Sequence, residues 1–266
     1  MQDGQAASLL SGSTEALEVR PPAAQNRLLR CIPDGELTLL RSIATEVELK
    51  PRQVLHHWRL PMDHVYFVER GLISVSAKVE ANRFVEAWLV GSEGMIGAPC
   101  VLAPEDPTPP HRRIVQVAGT ALRIPAQTFV AALDDLTVLR SVILRYVNLV
   151  LFQTSQIGAC NALHSVKQRL GRWLLVAAAA MDSDDLPITH AVLAQLLGIR
   201  RASVSECLET FEQAGIIRNT RAAIRLTNRS GLQHVACSCS GLIQREYDRQ
   251  IGRLITTSSP EHPNES

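Results

Sequence analysis

The stretch that most constrains this chain is LPITHAVLAQLLGIRRASVSECLETFEQAGIIR, Leu186 to Arg218. Thr189 is placed to cap a short helix whose apolar face is Val192, Leu193, Leu196 and Leu197, and Gly198 supplies the backbone freedom for a tight turn. A second helix is predicted to start near Arg201, with Val204, Leu208 and Phe211 at helical spacing on its buried side. That phase leaves Arg200, Arg201, Ala202, Ser203 and Ser205 near its exposed leading end. Two helices, a glycine turn and a basic tip describe a helix-turn-helix whose second helix enters the DNA major groove, although an ordinary packed helical pair shares the turn. The next segment, GIIRNTRAAIRLTNRSG, favours DNA. It reads as two short β-branched strands, Ile216 to Arg218 and Ile224 to Thr227, about a polar turn at Asn219 to Arg221, that is, a small wing. Arg200, Arg201, Arg218, Arg221, Arg225 and Arg229 stand here against Glu206, Glu209 and Glu212, so a chain of net charge only +1 concentrates its positive charge in this region.

Composition bounds the rest. The 266 residues are 46% hydrophobic and 4% aromatic, enough apolar mass for two domains. The best candidate for a membrane span, Trp173 to Met181, is less than half the needed length, and the N-terminus has no basic-then-apolar signal pattern. A cytoplasmic chain with no membrane partner is therefore expected. Cys31, Cys100, Cys160, Cys207, Cys237 and Cys239 are widely spread, as suits reduced thiols rather than a disulfide framework.

Five segments follow from the texture of the chain. Residues 1–25, rich in Ser, Gly, Ala, Gln and Pro, read as a flexible tail, and residues 257–266 as another. Residues 26–132 read as an antiparallel β-roll opened by a short helix carrying Leu37, Leu40 and Ile43 behind Pro33 and Asp34. Within it, HVYFVERGLISVSAKV predicts two strands reversing at Arg70-Gly71, and RIVQVAGTALRIP two more about Gly119. From Leu133 to Met181 there is no proline, and the only glycines are Gly158 and Gly171, which predicts one long helix, residues 133–164, and a shorter one opening the last segment, residues 165–256. The long helix carries two apolar stripes, one of Leu139, Val142, Tyr146 and Leu149, the other of Ile143, Val147, Val150 and Ile157. One stripe is expected against the roll and the other against the same helix of a second subunit, or both in one core. The C-terminal GLIQREYDRQIGRLI predicts a helix lying on the winged part.

The order of parts, with NRLL, DHVYFVERGLISV, VGSEGMIG and CNALHSVKQRLGRWLL followed by the helix-turn-helix and wing, resembles the Crp/Fnr family of bacterial transcription regulators over Asn26 to Ile255. The resemblance implies an α+β fold: an N-terminal cyclic-nucleotide-binding-like β-roll, a long dimerisation helix and a C-terminal winged helix-turn-helix. It further implies a homodimer reading a near-palindromic site on double-stranded DNA, with RNA polymerase as a partner at the promoter. Residue by residue, it places Arg201 where an arginine reads guanine, Thr189 where phosphate is contacted, and Ser203 and Arg200 as further phosphate or base contacts. The chemistry agrees, since a guanidinium forks onto guanine O6 and N7. Ala202 stands where the best-known members have glutamate, and Glu206 where the cyclic-AMP receptor has arginine. Alanine can touch only a thymine methyl, and Glu206 can accept from cytosine or face solvent, so the operator is not theirs. In the wing, Arg221 precedes Ala222 and Ala223 where relatives have a glycine-containing turn.

The sensor departs further. Cyclic-nucleotide-binding relatives carry a Gly-Glu segment for the ribose and an Arg-Ser or Arg-Thr pair for the phosphate, whereas this chain reads GAPC at Gly97 to Cys100 and DPTPPHRRIVQ around Arg112 and Arg113. Cyclic AMP is therefore not expected. An iron-sulfur cluster is not expected with Cys31 alone near the N-terminus, nor haem or a metal from His56, His57, His64 and His111. Cys237 and Cys239 would point to opposite sides of a helix and read as small buried residues. The effector is left open. The alternative function is a small-ligand or cyclic-nucleotide-binding module acting through protein contacts. An enzyme is not indicated, because no nucleophile, base and oxyanion donor are set together and no phosphate loop or metal-spaced cluster stands out.

Overall fold

A computed structural model describes residues 24–81, 83–106, 108–220 and 222–254. Most of both terminal tails, and Arg221, lie outside the described residues. A 3-10 turn at Leu29–Cys31 leads into α1 (Asp34–Ser42), then β1 (Thr45–Leu49), β2 (Val54–His56), β3 (His64–Glu80), β4 (Arg83–Val90), β5 (Met95–Ile96), α2 (Pro99–Leu102), β6 (His111–Pro125) and α3 (Ala126–Ala132). After these come α4 (Thr137–Leu163) and α5 (Val166–Met181). The last part holds β7 (Asp185–Leu186), α6 (His190–Leu197), α7 (Arg201–Gln213), β8 (Ile217–Asn219), β9 (Ile224–Leu226), α8 (Arg229–Val235) and α9 (Cys239–Tyr247), closed by a π-helical turn at Asp248–Gly252. No helix among the described residues is long and apolar enough to cross a membrane.

The roll is an antiparallel sheet of order β1-β6-β3-β4, with β2 on β6 and β5 on β3. Arg70-Gly71 and Gly119 are not turns, as the sequence suggested. β3 and β6 each run through, paired from His64 with Pro125 to Ala77 with His111, and the register shifts at Arg70. The two glycines meet at this kink: Gly71 has φ +98°, and a Cβ on Gly119 would stand 2.0 Å from the Arg70 carbonyl oxygen. A bulge and a turn both demand glycine; the partner strand decides which forms.

One core joins the roll to the long helix, with Phe67 edge-on to Phe129 at 5.8 Å and with Leu139, Val142, Ile143, Tyr146 and Leu149 of α4 buried against them. Ala24 is buried here too, and the Gln25 amide donates to Glu69, so residues 24 and 25 are packed rather than part of a tail. Ile143 and Ile157 are buried, and Val147 and Val150 pack on the same core. Both apolar stripes are thus internal to one chain. The face of α4 left open carries Leu144, Asn148, Leu151, Ser155, Gly158 and Ala162, stepping alternately by four and three residues. The C-terminal helix has two neighbours. Tyr247 and Ile251 enter the roll–α4 core and Asn148 donates to Gln250, while α9 also packs on α5, which opens the winged segment.

A second core runs from the underside of the roll (Leu72, Leu89, Val117) through Trp173 and Leu174 of α5 into Leu193, Val204, Leu208 and Phe211. Between α4 and α5 the chain breaks at His164 (φ −100°, ψ 146°), and Ser165 restarts it with a capping box to Gln168.

Buried polar groups in the roll make its stability depend on pH. His56 is 4% exposed, with Nε2 2.7 Å from the His64 carbonyl oxygen. Burial, helped by the Arg113 guanidinium, pushes its pKa from 6.5 to about 4. The folded chain therefore holds a neutral imidazole while the unfolded chain protonates below 6.5. The stabilisation is complete above pH 6.5 and is lost as pH falls toward 4, by on the order of 3 kcal/mol. Urea unfolding of His56→Gln, which keeps a donor for that carbonyl, should show a shallower loss than the parent between pH 6.5 and 5; parallel profiles would refute this assignment.

Candidate nucleic-acid interface

The helix-turn-helix forms where the spacing placed it. Thr189 caps α6 by accepting the Val192 N–H at 3.4 Å, and Gly198 ends it in the left-handed conformation at φ +65°. Arg200 is extended (φ −74°, ψ 141°) and enters α7 without any side-chain cap. The leading N–H groups of a 13-residue helix consequently lack an internal side-chain partner, and such a terminus suits an anion. Val204, Leu208 and Phe211 are fully buried and fix the rotation of α7. Arg200, Arg201, Ala202 and Glu206 are exposed, Ser203 and Ser205 half-buried. Thr189 and Arg201, twelve residues apart in sequence, line one shallow groove with His190, Ala191, Asn219 and Thr220.

Sequence reasoning missed what holds this groove together. The His190 ring bridges α6, α7 and the wing, with Nδ1 2.9 Å from Ser205 Oγ and Nε2 2.9 Å from Asn219 Nδ2. The Asn219 backbone N–H donates to Glu212 Oε1 at 2.8 Å. Ser205 is thus occupied in positioning, and a histidine following an N-cap threonine carries no periodic signal of such long-range contacts.

The charge count also changes in three dimensions. β9 pairs with β8 and with β7, which brings Asp184 and Asp185, outside the Arg200 to Arg229 window, against the wing. Arg225 bonds Asp185 through Nη2 to Oδ2 at 2.8 Å, and Arg229 Nε lies 2.6 Å from Asp184 Oδ1. Among the described residues, Arg200, Arg201 and Arg218 remain exposed without an acidic partner. The positive surface is therefore the tip of α7 and the adjoining strand rather than the whole winged part.

In the roll, neither basic residue of the HRRIV segment is a solvated loop charge. Arg112 and Arg113 lie on β6; Arg113 is 3% exposed and donates to the His111 carbonyl, while the Arg112 guanidinium stacks 4.0 Å above Phe84. A cleft of about 440 Å³ opens instead between the roll, α4, α5 and α9, lined by Arg27, Glu93, Tyr146, Leu149, Gln153 and Arg245 among others.

Residues 168–235 match the family model of the Crp-like helix-turn-helix domain. No curated protein matches the chain. Among solved structures, the chain is similar to the c-di-GMP-responsive global regulator CLP of Xanthomonas campestris, with 16% identity, TM-score 0.60, and coverage of 73% of this chain and 99% of that one. It is similar to a CRP-family transcriptional regulator of Thermus thermophilus (17%, TM-score 0.59, covering 71% and 96%). A Crp/Fnr-family regulator from Eubacterium rectale gives 15%, TM-score 0.55, and coverage of 78% and 96%. At these identities the structures establish a shared fold, and the family model establishes the kind of helix-turn-helix.

Proposed function

We propose that this chain, which carries a Crp-like helix-turn-helix domain on the fold of the Crp/Fnr regulators, is a DNA-binding transcription regulator that acts as a homodimer on a near-palindromic operator. The observation that carries this reading is the uncapped, arginine-bearing start of α7, held outward by a buried Val204, Leu208 and Phe211. Arg201 reads guanine from the major groove, Arg200 and Ser203 take backbone phosphate or a neighbouring base, and Thr189 meets phosphate across the groove it shares with Arg201. Ala202 is left a thymine methyl, Glu206 a cytosine amino group, and Arg221 the backbone beside the wing. Ser205 supports the helix through His190. The second copy docks through the open face of α4, whose four-three stepping is that of a two-helix seam, so that two α7 helices sit about 34 Å apart in successive major grooves. The roll, with the cleft between it and α4, senses an effector or state, and RNA polymerase at the promoter is the further partner. The compartment is the cytoplasm.

Selection of bound duplexes from random DNA, followed by Arg201→Ala, tests this reading. Binding should weaken steeply with salt, as displaced counterions require. Arg201→Ala should cost roughly 5- to 150-fold at the selected site and much less on random duplex, because a bidentate contact to guanine discriminates by about 1 to 3 kcal/mol. Equal losses on both would remove its base-reading role.

A further inference from the structure

Four side chains from distant parts of the sequence converge where the long helix ends. Cys160 lies in the last turn of α4, and His164 caps that helix, its N–H donating to the Cys160 carbonyl at 3.0 Å. Cys237 and Cys239 are both buried, as expected, but they do not lie together within one helix, so the condition for their pointing to opposite sides is not met. Ala236 is extended (φ −76°, ψ 164°), Ser238 is the cap of α9 and Cys239 its first residue, so the break between α8 and α9 turns both thiols the same way. Gly171 of α5 makes room for this segment: a Cβ there would come within 3.1 Å of Ala236.

We propose that Cys160, His164, Cys237 and Cys239 bind one zinc-type divalent cation that clamps the end of α4 to the start of α9. The four ligand atoms all lie within 4.8 Å of one another, with Cys160 Sγ 3.4 Å from Cys237 Sγ and Cys239 Sγ 3.7 Å from His164 Nδ1. Tetrahedral zinc with bonds of about 2.3 Å to sulfur and about 2.0 Å to nitrogen separates its ligands by roughly 3.5 to 3.8 Å. A pair at the 4.8 Å limit must close by about 1 Å, while the Cys160–Cys237 and Cys239–His164 pairs already stand near these separations. All three cysteines are buried and none is in a disulfide, so the packed sulfur atoms are free to take a cation, which binds thiolate with release of the thiol protons.

The surroundings supply what such a centre lacks. Three thiolates and a neutral imidazole around a divalent ion carry one net negative charge. Arg172 of α5, 4% exposed and with a buried Nε that has no hydrogen-bond partner, stands close enough to Cys160 to act on its charge. Gln156, one turn before Cys160, donates its amide to Cys239 Sγ at 3.2 Å, the kind of outer contact that orients a metal thiolate. The site straddles the α4–α5 break at His164, so its loading fixes the angle at which the long helix hands over to the helix-turn-helix. It does not depend on how α7 meets DNA.

The test uses the full chain purified under reductant. Elemental analysis should find one zinc per chain. Replacement by Co²⁺ should give thiolate-to-cobalt charge transfer together with the intense visible bands of tetrahedral coordination. Zinc should also slow alkylation of Cys160, Cys237 and Cys239 while leaving Cys207 unprotected, and should raise Tm. Cys160→Ser and Cys237→Ser should each lose the cobalt spectrum, whereas Cys31→Ser keeps it. A folded parent protein that takes up no zinc or cobalt, or a Cys160–Cys237 disulfide that forms equally fast with zinc present, would overturn the proposal. So would a cobalt spectrum that survives Cys160→Ser with Cys237→Ser. Because the parent's metal content and alkylation rates suffice, the outcome does not rest on the variants folding.

Discussion

Leu144→Asp combined with Leu151→Asp is expected to leave the chain folded but monomeric, and to weaken binding to a paired operator by about 100-fold or more. Both leucines lie on the open face of α4, 47% and 61% exposed, so aspartate there costs the single chain little. Across a two-fold seam each aspartate would instead meet its own copy, placing like charges in what should be an apolar contact. The loss on DNA would be large because a dimer would bind the second half-site at the effective concentration set by its linkage, and a monomer would forfeit that advantage entirely. Val147→Asp and Val150→Asp provide the contrast. Those side chains pack on the roll–α4 core, so the same charge there should lower stability rather than simply dissociate subunits. Sedimentation and unfolding measured on both sets separate the two faces. A double leucine variant that stays dimeric with full operator affinity would move the seam elsewhere.

Local signals explain how much of this molecule was readable in advance. Thr189 as a cap, Gly198 as a turn and Val204, Leu208 and Phe211 as a buried face are all decided within a few residues of themselves, and each is where the spacing put it. The failures are long-range. Gly71 and Gly119 carry the same local signal as turns, and only their mutual approach across β3 and β6 makes them a shared bulge. Two stripes on α4 could be counted, but not that α9 and the π-helical turn would return to occupy one flank and leave Leu144 and Leu151 outside. Asp184 and Asp185 neutralise Arg225 and Arg229 through β-pairing that a window on the sequence cannot contain. The Cys160, His164, Cys237 and Cys239 cluster was illegible for the same reason: its two halves are more than seventy residues apart, and the half with CSC spacing has a helix break that periodicity does not reveal.

Trp173→Ala should be the most destabilising single substitution at the junction of roll and helix-turn-helix, costing about 3 to 5 kcal/mol of a total stability of about 5 to 15. Trp173 is 1% exposed, its ring in the core that runs from Leu72 and Leu89 of the roll to Leu193 and Phe211, and its N–H donates to Glu86 Oε1 at 2.8 Å. Alanine would leave a cavity and a buried carboxyl stripped of its donor. The acid gives the pH signature. Burial raises Glu86 from 4.5 to about 7, with the indole N–H and the Arg172 guanidinium pulling the other way, and Oε2 has no hydrogen-bond partner. Between pH 4.5 and 7 the folded chain thus keeps a proton that the unfolded chain has lost. Glu86's contribution is complete below 4.5 and disappears as pH rises through 7. Trp173→Phe keeps most of the apolar ring but not the donor, so Glu86 should hold its proton to higher pH and the deficit relative to the parent should widen from pH 6 to 8.5. Glu86→Gln can still accept the indole N–H without ionising, and should flatten the profile between pH 5 and 8. Urea unfolding at those pH values is the measurement, and a Trp173→Phe deficit that does not change with pH would show that the indole acts through its volume alone.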